Sequence, residues 1–207
     1  MLVKNRYSGK TKEEAINNAK IALQELEENL YIKEIEVKSG LFNKKVEIEV
    51  IRKDDVAEYI KELTKELVRN MGLSCNLEAK KRENGLNITI ITDDDNNSIL
   101  IGKNGRTLDS LTAIIKHSVF NEIGEFYQFT LDVGEYKLAR EQKLERLAKK
   151  VAREVAYTKV AAKMDPMNSY ERRIIHTILA ENKKVITESE GEEPNRCVVI
   201  KPREEDE

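Results

Sequence analysis

The chain comprises 207 residues, 40% apolar and 36% charged, with no tryptophan and a formal net charge of -2. That balance suits two or three small domains with large surfaces rather than one large core; no apolar run approaches the ~18 residues of a membrane span, and no N-terminal apolar segment of the kind that directs export is present. Cys75 and Cys197 stand far apart without CxxC or His-rich company, which excludes zinc-ligand spacing and a disulfide framework and makes a reducing cytoplasm the expected compartment. Charge is unevenly spread: residues 137–184 hold thirteen Lys/Arg against six Asp/Glu, and residues 185–207 three against eight. The basic stretch reads either as a solvated helix face or as a nucleic-acid surface.

Residues 1–52 form the first expected unit. Thr11 followed by Glu14 has the spacing of a capping box, and Ile16, Ala19, Leu23, Leu26 and Leu30 recur at helical intervals. Alternation of apolar and charged residues predicts half-buried strands at 34–37 and 46–50. Leu41 and Phe42 sit in the polar connection between them, either as a docking site for a partner or as a hairpin tip folded onto its own sheet. The next helix, capped by Asp54 or Asp55, shows Val56, Ile60, Leu63, Leu67 and Met71 on one face and stops at Gly72. Strands at 75–79 and 86–92 flank a turn at 83–85. The acidic run 93–97 lacks the Gly and Glu that an EF-hand requires and reads as a solvated turn before a short helix at 96–100.

Gly102-Lys103-Asn104-Gly105 then interrupts an apolar run and leads into a helix over 106–121, with Leu108, Leu111, Ile115 and Val119 on its buried face. Two glycines three apart allow a tight turn and close backbone approach to a ligand. A helix start offers unpaired N–H groups to an anion, and Lys103 and Arg106 add positive charge. A GxxG by itself is equally an ordinary turn, so the flanks decide. With a strand at 126–133 the order is helix, strand, strand, helix, GxxG, helix, strand, and this resembles a type II KH domain, whose GxxG loop grips the sugar-phosphate backbone of single strands.

From Glu135 the pattern is helical for close to thirty residues, ending near Asp165-Pro166. Leu144, Leu147 or Ala148, Val151 and Val155 form its core face, and Lys143, Arg146, Lys150 and Arg153 lie largely elsewhere on its surface. Asn168 and Glu171 suggest a second capping box, opening a helix with Arg172, Arg173 and His176. Arg172 and His176 are four apart, hence on one face; they suit a phosphate and a neighbouring oxygen or base, or else a satisfied structural histidine. A hairpin over 185–189 and 196–200 and an acidic tail at 204–207 complete the chain.

Pro166-Met-Asn-Ser-Tyr-Glu-Arg-Arg-Ile-Ile-His176 and Ser189-Glu-Gly-Glu-Glu-Pro-Asn-Arg-Cys-Val-Val-Ile200 resemble the R-three-H domain, named for an Arg and a His separated by three residues. With the KH pattern and a small N-terminal unit, nearly the whole chain is similar to the bacterial Jag family, also called SpoIIIJ-associated or KhpB proteins. The resemblance implies an α+β chain of three small domains: an N-terminal helix with a β-hairpin over 1–52, a type II KH domain over 53–134, and an R-three-H domain over 135–203 with a long helix, a second helix and a β-hairpin. It makes Gly102, Lys103, Asn104, Gly105 and Arg106 the KH clamp, and Arg172, Arg173 and His176 a second single-strand nucleic-acid site. It further implies a cytoplasmic, non-catalytic RNA-binding regulator of cell elongation or division, partnered by a second, smaller KH protein. Two departures stand out: the first domain's connection reads Lys38-Ser-Gly-Leu-Phe-Asn43 where the family has a pattern like Lys-Lys-Gly-Phe-Leu-Gly, and the long charged linker after that domain is nearly missing. The residues leave RNA and single-stranded DNA both open as ligands, and a homodimer or a protein-interaction scaffold remains the competing reading. No metal or cofactor is indicated. His117 and His176 have no nucleophile tied to them by spacing, which speaks against an enzyme.

Overall fold

A computed structural model describes residues 2–39, 44–82 and 85–203; Leu41, Phe42 and the tail at 204–207 lie outside the described residues. Among the described residues six α-helices and three small sheets fall into two compact units, residues 1–134 and 135–207.

In the first unit β1 (Asn5–Gly9), β3 (Lys44–Arg52) and β2 (Leu30–Ser39) form an antiparallel sheet in that order, covered by α1 (Lys12–Leu23). Thr11 caps α1, its hydroxyl accepting from the Glu14 N–H at 3.2 Å, while Glu14 accepts from the Lys10 N–H at 2.7 Å. The expected helix continued to Leu30, but α1 ends at Leu23. Gln24 takes a left-handed φ of 55° and donates to the Lys20 carbonyl, leaving Leu26 exposed and Leu30 buried at the start of β2. The edge strand β1 has no apolar alternation to announce it. β3 lies at the centre and carries the core residues Val46, Ile48 and Val50, packed on Ala15 and Ala19. A bulge between Glu34 and Glu36 leaves Ile35 exposed, against the alternation expected there.

α2 (Lys53–Asn70), β4 (Asn76–Arg82), β5 (Gly85–Ile91), α3 (Asp94–Ile101), α4 (Arg106–Ile123) and β6 (Phe129–Val133) follow in the KH order read from the sequence. β5 is central, antiparallel to β4 and parallel to β6. The buried face of α2 is Val56, Ile60, Thr64 and Val68, so Thr64 stands where Leu63 was expected and Met71 is exposed. Thr64 pays for its burial by donating its hydroxyl to the Ile60 carbonyl at 2.7 Å. Neither Asp54 nor Asp55 caps α2; Arg52 is the cap residue, and its guanidinium donates to Asp55 at 2.9 and 2.6 Å. Ile88, Ile90, Leu131 and Val133 of the sheet are buried with Leu108, Leu111, Ile115 and Val119 of α4. Lys4 reaches Glu49 at 3.7 Å and Glu122 of α4 at 2.9 Å, and the Tyr31 and Tyr127 rings are 6.5 Å apart. The N-terminal sheet and the elements from α2 to β6 therefore lie within one compact unit.

In the second unit α5 (Tyr136–Thr158) and α6 (Ser169–Leu179) pack on an antiparallel sheet ordered β7 (Ala162–Lys163), β9 (Cys197–Pro202), β8 (Val185–Glu190). α5 was expected to reach Asp165 but stops at Thr158, where Lys159 adopts a left-handed φ of 59° and donates to the Val155 carbonyl. The next residues pair with β9: β7 does so directly, and the Met164 N–H donates to the Val198 carbonyl at 2.9 Å. Leu144, Ala148 and Val155 of α5 share a core with Ile175, Leu179, Val185, Val198 and Ile200, while Leu147 is exposed.

Candidate nucleic-acid interface

The first candidate site is made by backbone. The Asp93 carboxylate accepts from the backbone N–H and side-chain amide of Asn96, both at 2.9 Å, so the acidic run is the cap and first turn of α3 and not a free turn. α3 ends where the Gly102 N–H donates to the Ser98 carbonyl at 2.9 Å. Gly102 has φ 69° and ψ -178°, a region that only glycine enters readily. A Cβ there would lie 2.1 Å from the Thr107 hydroxyl. Asn104 and Gly105 follow in left-handed conformations at φ 54° and 78°. α4 then starts at Arg106 with Gly105 as its cap residue, and a glycine supplies no capping oxygen for the first N–H groups. The Arg106 N–H donates to the Lys103 carbonyl, and the positive end of the 18-residue helix favours an anion at the loop. Lys103 and Arg106 are exposed beside it, and the buried Leu100 and Leu108 anchor both ends of the loop.

The second candidate site is made by side chains. Asn168 caps α6, its side-chain oxygen accepting from the Glu171 N–H at 2.9 Å. Glu171 stands at the third helical position that a capping box uses. It is buried, and it accepts from Arg140 of α5 at 2.6 Å. Arg172 and His176 share a face, as their spacing requires, and that face is turned onto the β8–β9 hairpin. Arg172 is only 7% exposed; its Nη2 donates to Glu193 at 2.7 Å, and its Nε is buried without a hydrogen-bond partner. His176 lies between two hydroxyls of β8, Nδ1 at 2.6 Å from Thr187 and Nε2 at 2.9 Å from Ser189. Burial, and then the neighbouring Arg172 charge, push the His176 pKa below its ordinary value. One hydroxyl thus holds the ring at each nitrogen. Arg173, one position on, is exposed.

Sequence reasoning named Arg172 and His176, quoted Ser189 and Glu193 only within the hairpin segment that resembles the family and gave them no role, and missed Thr187; the three complete the environment of Arg172 and His176. The two-residue spacing of Thr187 and Ser189 on one face of a strand was a signal for Thr187. Among the described residues no helix is long and apolar enough to cross a membrane.

Comparison with known proteins matches residues 142–202 to the R-three-H domain. The chain is 36% identical over 204 residues to the RNA-binding protein KhpB of Clostridium symbiosum, covering 96% of this chain and 91% of that protein. It is 39% identical over 112 residues to the protein of the same name from Lactiplantibacillus plantarum, covering 54% of this chain and 35% of the relative. The one from Bacillus subtilis is 38% identical over 105 residues, half of each chain.

Proposed function

The chain belongs to the KhpB family, and from that premise we propose that it is a regulatory protein that binds single-stranded RNA, receiving phosphates at the 102–106 loop. The observation that carries this is the loop itself: positive φ at Gly102, Asn104 and Gly105, a helix start without a side-chain cap, and exposed Lys103 and Arg106. Each of these directs donors or positive charge to the same small volume. Residues 1–52 serve as the N-terminal domain, 53–134 as the KH domain and 135–203 as the R-three-H domain. Arg172, Arg173 and His176 form a second contact, in which a phosphate takes the place of the Glu193 carboxylate on Arg172.

The protein acts by binding and not by catalysis, in the cytoplasm, in the control of cell elongation or division. A second, smaller KH protein or a second copy of this chain is its protein partner, and single-stranded DNA is the competing nucleic acid. Two contacts on one chain make the second one intramolecular, so each strengthens the other.

The test replaces Gly102 and Gly105 by Asp in the full chain and measures binding to a short single-stranded RNA and the matching DNA by fluorescence anisotropy. Affinity should fall by roughly a hundredfold or more, because one of two linked contacts is lost. Unchanged affinity in a variant with an intact circular dichroism spectrum would exclude the loop as the clamp and turn the reading toward a protein-interaction scaffold.

A further inference from the structure

α5 carries seven Lys/Arg against three Asp/Glu over 23 residues, and these charges are sorted by face. Its buried side is Leu144, Ala148, Ala152 and Val155. Lys143, Arg146, Lys150, Arg153 and Tyr157 recur at intervals of 3, 4, 3 and 4. At ~100° and ~1.5 Å per residue this gathers them within an arc of about 80° on the opposite side, spread over about 21 Å of helix. All five are exposed, Tyr157 to 90%.

Arg146 and Arg153 each donate Nε to a carbonyl one turn back, those of Gln142 and Lys149, both at 3.2 Å. Among the described residues, Lys143, Arg146 and Arg153 meet no carboxylate at salt-bridge distance, and Lys150 has Glu154 only at 4.0 Å. The exposed side of α2 behaves differently. That helix holds four Lys/Arg and five Asp/Glu, and pairs Lys61 with Glu58 and Lys65 with Glu62 along its exposed side. On α5 such a pair, Lys149 with Glu145 at 2.6 Å, lies off the stripe, whereas the exposed side of α2 mixes and pairs its signs. Like charges at i, i+3 and i, i+4 repel, so the α5 stripe weakens its own helix until an anion covers it.

We propose that this stripe is a phosphate-tracking surface for single-stranded nucleic acid, distinct from the 102–106 loop and from the Arg172/His176 face. The four cations follow the sugar-phosphate backbone, and Tyr157 stacks a base at the C-terminal end of the helix. It rests on the RNA-binding reading above and adds to it a third, sequence-independent contact.

The test compares the full wild-type chain with three variants of it: Gly102→Asp/Gly105→Asp; Lys143→Ala/Arg146→Ala/Lys150→Ala/Arg153→Ala, in which alanine preserves helix propensity; and Tyr157→Ala. The probe is a fluorescein-labelled oligouridine of about 20 nucleotides at a series of KCl concentrations. The four-alanine variant should lower the slope of log K against log salt by about 2.8, from ~0.7 per phosphate contact on a single strand. Introduced into the loop variant, the four alanines should weaken further the binding that remains there, leaving the Arg172/His176 contact alone. Tyr157→Ala should weaken binding about tenfold at an unchanged slope. A four-alanine variant with the wild-type slope overturns the stripe while leaving the RNA-binding reading intact. A wild-type chain that ignores the oligonucleotide overturns both. A four-alanine variant that keeps the RNA slope but no longer sediments with phosphatidylglycerol vesicles also overturns the proposal, and assigns the surface to a lipid headgroup instead.

Discussion

The 102–106 loop and the α6–hairpin cluster are both built from basic and small polar residues, yet they direct their polar groups in opposite ways. In the loop the backbone does the shaping, through positive φ at Gly102, Asn104 and Gly105, and Lys103 and Arg106 stay exposed. In the cluster the side chains turn inward: Arg172 holds Glu193 and His176 holds Thr187 and Ser189. An anion can enter the loop without displacing a capping side chain, whereas one that reaches Arg172 must first displace a carboxylate. The difference teaches that a motif Arg or His can clamp its own fold with the same chemistry by which it would hold a ligand.

Removing one cation from each region separates the two. Arg172→Ala should destabilise the unit over 135–203 by about 2–3 kcal/mol, since a charge-assisted hydrogen bond and the packing of the buried side chain are both lost. Lys103→Ala should leave the denaturation midpoint within about 0.5 kcal/mol while weakening RNA binding. Urea titration of both variants measures this, and equal midpoints would show that Arg172 is no clamp.

His176→Ala should cost about 1–2 kcal/mol by leaving the Thr187 and Ser189 hydroxyls half-buried with a partner removed. The wild-type pH dependence has a definite sign. Because the folded-state pKa of His176 lies below the ordinary 6.5, the unfolded chain binds more protons between the two values. The stability present above that window is lost as pH falls through it. Thermal melts from neutral to mildly acidic pH should show this loss in the wild type and a flatter profile in His176→Ala; identical profiles would remove His176 from the clamp.

The smallest expected effect belongs to Glu193→Gln. Glu193 is 59% exposed in its side chain, and glutamine retains an acceptor for Arg172, so stability should change little. RNA affinity should rise about threefold because a neutral competitor yields more easily to phosphate. An unchanged affinity would mean that Arg172 receives no phosphate and that the cluster serves the fold alone.

Legibility in the sequence followed distance along the chain. The caps at Thr11 and Asn168 could be read because their partners are three residues away. The buried face of α4 could be read because Leu108, Leu111, Ile115 and Val119 repeat within one helix. Thr64 could not, because a threonine enters a core only where its hydroxyl finds a carbonyl, here that of Ile60. Nor could the acidic run at 93–97, which looked like solvated turn and proved to be a helix start once Asp93 bonded Asn96.

By itself the sequence determined the order of elements around Gly102 and Gly105, the glycine-dependent loop and the shared face of Arg172 and His176, since each follows from dihedral preference or helical period over a few residues. Only the tertiary structure decided where α1 and α5 stop, that 5–9 and 162–163 become strands, and what Arg172 and His176 hold. A strand edge such as β1 or β7 exists because β3 or β9 offers it hydrogen bonds. Glu193 lies 21 residues from Arg172, and Thr187 and Ser189 lie 11 and 13 from His176. Folding alone brings such groups together, and no local pattern records the meeting.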